Sequence, residues 1–174
     1  TQIMLRSLNG TYDVSYEGLV PVGAPLADYA AFLVHPGSEL QTMSDLVALA
    51  KSDPSAFAVG GGSQPRGLDH VITAMVLDAA EADPTLPYVQ FDAPQPAFAA
   101  LMAGEVAALT TDYSQARALA AQGAVRILGV TAPDGAALAE GMATMRAQGI
   151  DMEFVTWTGF FAPPGTTAEQ TGAY

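Results

Sequence analysis

The stretch from Phe57 to Ala79, FAVGGGSQPRGLDHVITAMVLDA, carries the strongest fold signal in the sequence. It begins with a short run typical of a buried strand, Phe57–Val59, and continues through a glycine-rich loop into a segment of helical period. Apolar residues in that segment recur at intervals of three and four, at Leu68, Val71, Ile72, Met75, Val76 and Ala79. A strand, a loop and a helix in this order predict one unit of an α/β fold.

The same alternation continues on both sides of this stretch. Upstream, we expect a strand at Tyr29–Val34 and then a helix that is capped by Thr42 or Ser44 and ended by Asp53-Pro54. Downstream, three further strands are expected at Tyr88–Phe91, Val106–Leu109 and Val125–Val130. Each is followed by an expected helix, at Pro96–Met102, Ser114–Ala121 and Ala137–Gln148 respectively. An extended run over Met152–Phe161 comes last. This pattern predicts the α/β class, with a mostly parallel sheet flanked by helices.

Composition and charge exclude several classes of function. The chain has 174 residues, of which 50% are hydrophobic and 14% charged, as expected for a folded domain. Its net charge of −12 disfavours binding to nucleic acid or to an anionic lipid surface. No apolar run approaches the roughly 20 residues that span a bilayer, so membrane insertion is not expected. With no Cys and two His, we expect neither disulfides nor a transition-metal site.

The loop GGGSQPRGLDH, Gly60–His70, is the candidate binding element. Glycine backbone can approach a ligand closely, and N–H groups at a helix start favour an anion. A plain tight turn is the alternative interpretation. Pro65 stands where a dinucleotide fingerprint needs its third glycine, and the sole lysine, Lys51, lies in no phosphate-binding loop. Asp69 and His70 are neighbours about 100° apart on a helix, which disfavours a hydrolase triad with Ser63.

Three other loops follow predicted strands, where ligands bind in open α/β sheets. They are Asp92–Gln95, Thr110–Ser114 and Thr131–Asp134. Each of them taken singly is typical of an ordinary connection.

Four blocks of sequence together resemble one known family. They are VGGGSQPRGLDH (Val59–His70), YVQFDAPQPAFAALMAGEV (Tyr88–Val106), RILGVTAP (Arg126–Pro133) and TWTGFFAPPGTTAE (Thr156–Glu169). Their order and spacing are similar to those of the substrate-binding receptors of tripartite tricarboxylate transporters, also called Bug proteins. The resemblance extends over about residues 19 to 170.

The resemblance implies a periplasmic solute receptor with two α/β lobes of the type II-like periplasmic-binding-protein fold. Such a receptor captures a small di- or tricarboxylate, or a similar organic acid, and delivers it to membrane permease subunits. It is not an enzyme and needs no cofactor or metal. An α/β enzyme that binds a phosphorylated or anionic substrate at the glycine loop is the alternative, and a scaffold protein is a third interpretation.

The resemblance also implies that the chain is a piece of a longer receptor. Residues 29–157 would form the second lobe with its crossover strands. Residues 1–28 would be a remnant of the first lobe or a linker, and residues 158–174 a truncated segment returning to the first lobe. Exposed crossover segments would favour self-association of such a fragment.

Seven residues are expected to bind the ligand. The resemblance places Gly62, Ser63 and Gly67 against a carboxylate, together with Asp112 at a strand end. Arg66 would pair with a second carboxylate, or else be a solvated surface charge. The full predicted set is Gly61, Gly62, Ser63, Arg66, Gly67, Asp69 and Asp112. This chain has Gln64-Pro65-Arg66 and Ala93–Pro96 where relatives often have glycines, which leaves the identity of the solute open.

Overall fold

The computed structural model describes residues 15–55 and 57–172. The strands are β1 (Val20–Val34), β2 (Val59–Gly61), β3 (Tyr88–Gln90), β4 (Ala108–Asp112), β5 (Arg126–Val130) and β6 (Val155–Ala162). The helices are α1 (Met43–Ser52), α2 (Leu68–Ala79), α3 (Pro94–Ala103), α4 (Tyr113–Ala121) and the short α5 (Ala168–Thr171), with 3₁₀ turns at Tyr16–Gly18 and Arg146–Gln148.

Chain contacts divide the protein into two units. The larger unit is Tyr29–Val155, and the described residues outside that range form the other. In the smaller unit none of the described side chains is fully buried, and Leu26, Trp157 and Phe160 are largely exposed. The hydrophobic core therefore lies in the larger unit.

The strands of the larger unit lie in the order β3-β2-β4-β1-β5, and β6 pairs with β1. β2 runs parallel to β3 and to β4, whereas β1 runs antiparallel to both β4 and β5. Strands β2 to β5 therefore all point the same way, and their carboxyl ends lie at one edge. The expectation of a mostly parallel sheet is confirmed.

Alternate residues of β1 contribute to two separate cores. Ala30, Phe32 and Val34 pack in a cluster with residues of α1 and α2, whereas Ala31 and Leu33 pack in a cluster with residues of α3 and α4. This division follows from the two-residue period of a strand. The sheet is consequently covered by helices on both faces.

Local signals in the sequence place α1 and several helix ends correctly. Thr42 accepts a hydrogen bond from the N–H of Asp45, whose side chain accepts from the N–H of Thr42, which completes a capping box. Gly104, Gly123 and Gly149 all have φ between 69° and 80°, the left-handed conformation that glycine adopts most easily at a helix end.

Several sequence predictions are wrong in part. The strand expected at Val106–Leu109 lies at Ala108–Asp112. The helix expected over Ala137–Gln148 is absent apart from its last turn, because Val130 of β5 bonds to this segment through the N–H of Met145 and the carbonyl of Ala143. β2 lies at Val59–Gly61 and not at Phe57–Val59, because Val59–Gly61 is the part that pairs with both neighbouring strands.

A further error concerns the buried face of α2. The helix spans the expected residues, but Val71 and Met75 are about two-fifths exposed, and Thr73 and Leu77 are buried in their place. Thr73 reaches the sheet through its hydroxyl, which lies 3.0 Å from the hydroxyl of Thr110 in β4. A polar residue therefore belongs to the inner face because it has a buried partner.

Thr131, directly after β5, connects two backbone segments through its buried side chain. Its Oγ1 accepts from the N–H of Ala30 at 2.9 Å and donates to the carbonyl of Phe154 at 2.7 Å. We expect Thr131→Val to lower the free energy of unfolding by about 1–3 kcal/mol, since it leaves the buried N–H of Ala30 and the part-buried carbonyl of Phe154 without this partner. Urea unfolding of the chain measures this difference.

Thr131→Ser is the matched control, because it keeps the hydroxyl and removes only a methyl group, at a cost of about 1 kcal/mol. Equal stability of the Val variant and the wild type would show that the two hydrogen bonds contribute nothing.

Candidate functional site

A pocket of about 310 Å³ lies at the edge where the parallel strands end. Three segments contribute to it: Gly61 and Gly62 at the end of β2, Asp92–Pro94 after β3, and Thr111 and Asp112 at the end of β4. The sequence placed candidate loops at these strand ends, and the fold brings three of the four together. No residue of the fourth loop, Thr131–Asp134, lines the pocket.

Each of the three loops leads into a helix whose first residues line the pocket. Asp69 is the second residue of α2, Pro94 is the first residue of α3, and Asp112 is the N-cap of α4. The N-terminus of a helix carries a partial positive charge from its unpaired N–H groups. Three such ends meet at this pocket, and that arrangement favours a negatively charged ligand group.

Ser63 and Asp69 hold the glycine loop in shape through reciprocal hydrogen bonds. The N–H of Ser63 donates to Oδ2 of Asp69 at 3.0 Å, and the N–H of Asp69 donates to Oγ of Ser63 at 2.9 Å. The Asp69 carboxylate of the protein itself therefore accepts from two backbone N–H groups of the loop, those of Ser63 and Gly62.

Tyr88, in β3, lies over this loop. Its hydroxyl donates to the carbonyl of Ser63 at 3.0 Å and is 3.2 Å from Oγ of the same residue. The ring of His70 stacks on the ring of Tyr88, with centroids 4.7 Å apart and planes 6° from parallel. Nδ1 of His70 accepts from the N–H of Arg66 at 2.8 Å. The loop is thus held by side chains of β3 and α2.

The glycines of the loop have different structural requirements. A methyl group at Gly61 would lie 2.5 Å from the hydroxyl of Tyr88 and 2.8 Å from Cβ of Asp69. At Gly67 it would lie 2.7 Å from the carbonyl of Gln64. At Gly62 its nearest neighbour would be Oδ2 of Asp69 at 3.9 Å. Packing alone therefore accounts for glycine at 61 and 67, but not at 62.

The charged side chains that line the pocket are the three aspartates Asp69, Asp92 and Asp112. Burial raises the pKa of the Asp69 carboxyl, and the negative charge of Asp112 raises it further, against the hydrogen bonds from Ser63 and Gly62. The lining contains no Lys, Arg or His. Attraction for an anion in this pocket must therefore come from uncharged donors, namely backbone N–H groups and polar side chains such as Thr111 and Gln115.

The structure places four of the seven predicted residues in the pocket lining: Gly61, Gly62, Asp69 and Asp112. Ser63 and Gly67 shape the loop behind it, and Arg66 is exposed outside the lining. A role for these seven residues in ligand binding stays a prediction.

Sequence reasoning missed Tyr88 and Asp92 as site residues. Tyr88 lies 25 positions after Ser63, and only the parallel pairing of β2 with β3 brings them together. Asp92 belongs to a strand-end loop that the sequence did identify, so its position after a predicted strand was the available signal.

Other features of the described residues give no competing site. A cavity of about 320 Å³ beside α1, lined in part by Ser44, Lys51 and Gly149, contains none of the predicted site residues. Residues 15–55 and 57–172 hold no cluster of three or more side chains suited to a metal ion. Among the helices described, none has the length and hydropathy of a membrane span.

Residues 12–172 match the model of the tripartite tricarboxylate transporter family receptor. No curated protein matches the chain.

Three solved structures show the same fold. A TctC solute-binding protein from Polaromonas, without ligand, is 24% identical and superposes with a TM-score of 0.79, covering 99% of this chain and 58% of that one. MatC from Rhodopseudomonas palustris with bound malate is 20% identical, with a TM-score of 0.72 and coverage of 88% and 51%. An R. palustris protein with adipate is also 20% identical, with a TM-score of 0.75 and coverage of 89% and 51%. The chain thus spans between half and three-fifths of their length.

The raised pKa of Asp69 predicts a specific dependence of stability on pH. Because folding raises this pKa above its ordinary value of 3.8, ionisation of Asp69 opposes folding. Its favourable contribution is complete below the unfolded pKa and is lost as pH rises through the folded pKa. We therefore expect the stability of Asp69→Asn, relative to wild type, to increase from about pH 3 to about pH 7.

Urea unfolding at a series of pH values measures this difference. Asp92→Asn is the matched control, since it removes an exposed carboxylate from the same pocket. A difference between Asp69→Asn and wild type that stays constant or decreases over this range would contradict the inferred cost of burying the charge.

Proposed function

Because the chain belongs to the tripartite tricarboxylate transporter receptor family, we propose that it is a solute-binding receptor that captures a small carboxylate. Its role is to bind the solute and present it to the membrane permease subunits of the transporter, in the periplasm. It catalyses no reaction and uses no cofactor. Two solved structures of the same fold, with malate and with adipate bound, support a small dicarboxylate as the ligand class.

The convergence of three helix N-termini on one pocket carries this proposal. All three helices have nine or more residues, so each has a developed dipole. A protein with a net charge of −12 repels anions at long range, and the local field at the helix starts offsets that repulsion. The volume of about 310 Å³ lies at the small end of the range for ligand pockets, which suits a small organic acid.

The aspartates of the lining limit where a carboxylate can bind. Asp69 already accepts hydrogen bonds from the N–H groups of Ser63 and Gly62, and a second anion beside it would be repelled. Gly62 is exposed and has open space in front of its Cα. We place the ligand carboxylate between Gly62 and the first turns of α3 and α4, where the dipoles of both helices act with the N–H groups at the start of α4 and the N–H of Gln95, the one residue among the first three of α3 that is not proline.

Gly62 provides the cleanest test of this placement. We expect Gly62→Val to weaken the binding of malate or adipate at least about tenfold, because the added side chain fills the approach to the backbone. The variant should fold, since its Cβ meets no atom closer than 3.9 Å. NMR titration of the chain with each acid measures the dissociation constant even when binding is weak.

Gly23→Val is the matched control for this experiment. Gly23 also has open space around it and lies in β1 outside the pocket, so its substitution should leave binding unchanged. Equal affinity of Gly62→Val and wild type would show that the ligand does not bind in this pocket. Failure of every small carboxylate to bind would contradict the proposed function.

Arg66 is proposed to contact a second carboxylate of the ligand. It is the only Lys or Arg in the loop from Gly60 to His70, and its long side chain is exposed. We expect Arg66→Ala to weaken the binding of adipate by about 1.5–3 kcal/mol, as for a desolvated charge-assisted hydrogen bond. Arg117→Ala, which removes an exposed arginine of α4 outside the pocket lining, is the control in the same titration. An unchanged affinity in Arg66→Ala would show that Arg66 is a solvated surface charge that does not contact the ligand.

A further inference from the structure

Arg66 has an unusual backbone conformation for its residue type. Its φ is 69°, in the left-handed region that residues other than glycine rarely adopt. Its N–H donates to Nδ1 of His70 at 2.8 Å. A ring nitrogen accepts a hydrogen bond only when it carries no proton, so this bond requires His70 to be neutral, with its hydrogen on Nε2. The strained turn therefore depends on the protonation state of one side chain.

The ring of His70 is held in place by Tyr88. The two rings stack with their centroids 4.7 Å apart, and the hydroxyl of Tyr88 donates to the carbonyl of Ser63 at 3.0 Å. Burial raises the pKa of Tyr88, so its phenol keeps its proton and remains a donor near neutral pH. The stacked pair thus holds the glycine loop at two points, Ser63 and Arg66.

These two points connect directly to the pocket. Ser63 exchanges two hydrogen bonds with Asp69, which lines the pocket with Gly61 and Gly62. The N–H of Gly67, the residue after Arg66, donates to the carbonyl of Gln64 and closes the turn. A change in the backbone at Arg66 would therefore be transmitted to the residues that face the ligand.

We propose that neutral His70 is a positioning residue for the ligand pocket: it holds the loop in its binding shape, and protonation of its ring releases the loop and weakens ligand binding. This inference rests on the proposed function. When Nδ1 gains a proton, two donors face each other and the bond to Arg66 is lost. Histidine is the side chain whose charge ordinarily changes between about pH 5 and 8, so affinity is compared across that range.

The groups around His70 are consistent with this coupling. Tyr88 of β3 covers one face of the ring, and the carboxylate of Asp69, the preceding residue in α2, points to the N–H of Ser63. The guanidinium of Arg66 is exposed to solvent. The hydrogen bond from the Arg66 backbone is therefore the contact of His70 that a proton on Nδ1 would break.

A variant that keeps the acceptor without its titration tests the proposal. In His70→Asn, the side-chain oxygen can take the place of Nδ1 but does not gain a proton. We expect wild-type affinity for adipate to fall about three- to tenfold between about pH 8 and about pH 5.5, corresponding to one lost hydrogen bond. His70→Asn should lose less than about twofold beyond the ligand's own titration, and His70→Ala should bind weakly at both pH values.

His35 provides a matched control. It is the other histidine of the chain, and its Nδ1 likewise accepts a backbone N–H, that of Gly37 at 2.9 Å, but it does not line the pocket. His35→Asn should keep the full pH dependence of binding. If wild type and His70→Asn show the same pH dependence, or if His35→Asn abolishes it, the positioning role of His70 is wrong.

A second measurement needs no ligand. Hydrogen exchange at the Arg66 amide, corrected for the intrinsic effect of pH, should lose protection between about pH 8 and about pH 5.5 in wild type but not in His70→Asn. Unchanged protection in wild type would overturn the inference even if affinity varies with pH. If the amide behaves as expected but no carboxylate binds at either pH, the proposed function fails, and the positioning role for a ligand fails with it.

Discussion

The pairing of β1 between β4 and β5 is the constraint on which the larger unit depends. From Ala30 to Val34 this strand is buried on both faces, with alternate side chains in the two hydrophobic clusters. It is also the strand of the five-strand path that runs opposite to the other four. β1 contributes side chains to both cores and lies between β4 and β5 in the sheet. Its position therefore relates the helices on the two faces to each other and gives β4 and β5 the same direction.

The site is a direct consequence of that shared direction. Parallel strands present their carboxyl ends at one edge, and each following helix then begins at the same edge. The dipoles of α2, α3 and α4 therefore add at the pocket, although Asp69, Asp92 and Asp112 oppose them. The helix N-termini attract an anion and the nearby carboxylates repel it. The affinity of such a site for an acid therefore depends on the number and position of the acid's charges.

The glycine loop combines two requirements that the sequence alone does not separate. Gly61 and Gly67 are needed because Tyr88, Asp69 and the loop backbone pack against them. Gly62 has no such neighbour and remains open to the pocket. The same short segment is therefore partly a structural turn and partly a binding surface, and the interpretation as a plain turn applies to some of its residues.

What the sequence determined by itself is what depends on near neighbours along the chain. The Thr42–Asp45 capping box, the left-handed glycines after α3 and α4, and the span of α2 rest on hydrogen bonds and steric limits within a few residues. The strand-end loops and the class of fold followed from the alternation of these local units.

Only the tertiary structure decided the rest. The pairing of β5 with the segment around Thr144 prevented a helix that local propensity favoured, and a buried partner, Thr110, brought Thr73 into the core in place of Val71. The contact of Tyr88 with Ser63 depends on residues far apart in the chain. Such pairings are selected by the combined free energy of the whole sheet and its two cores. They therefore cannot be predicted from any single segment of the sequence.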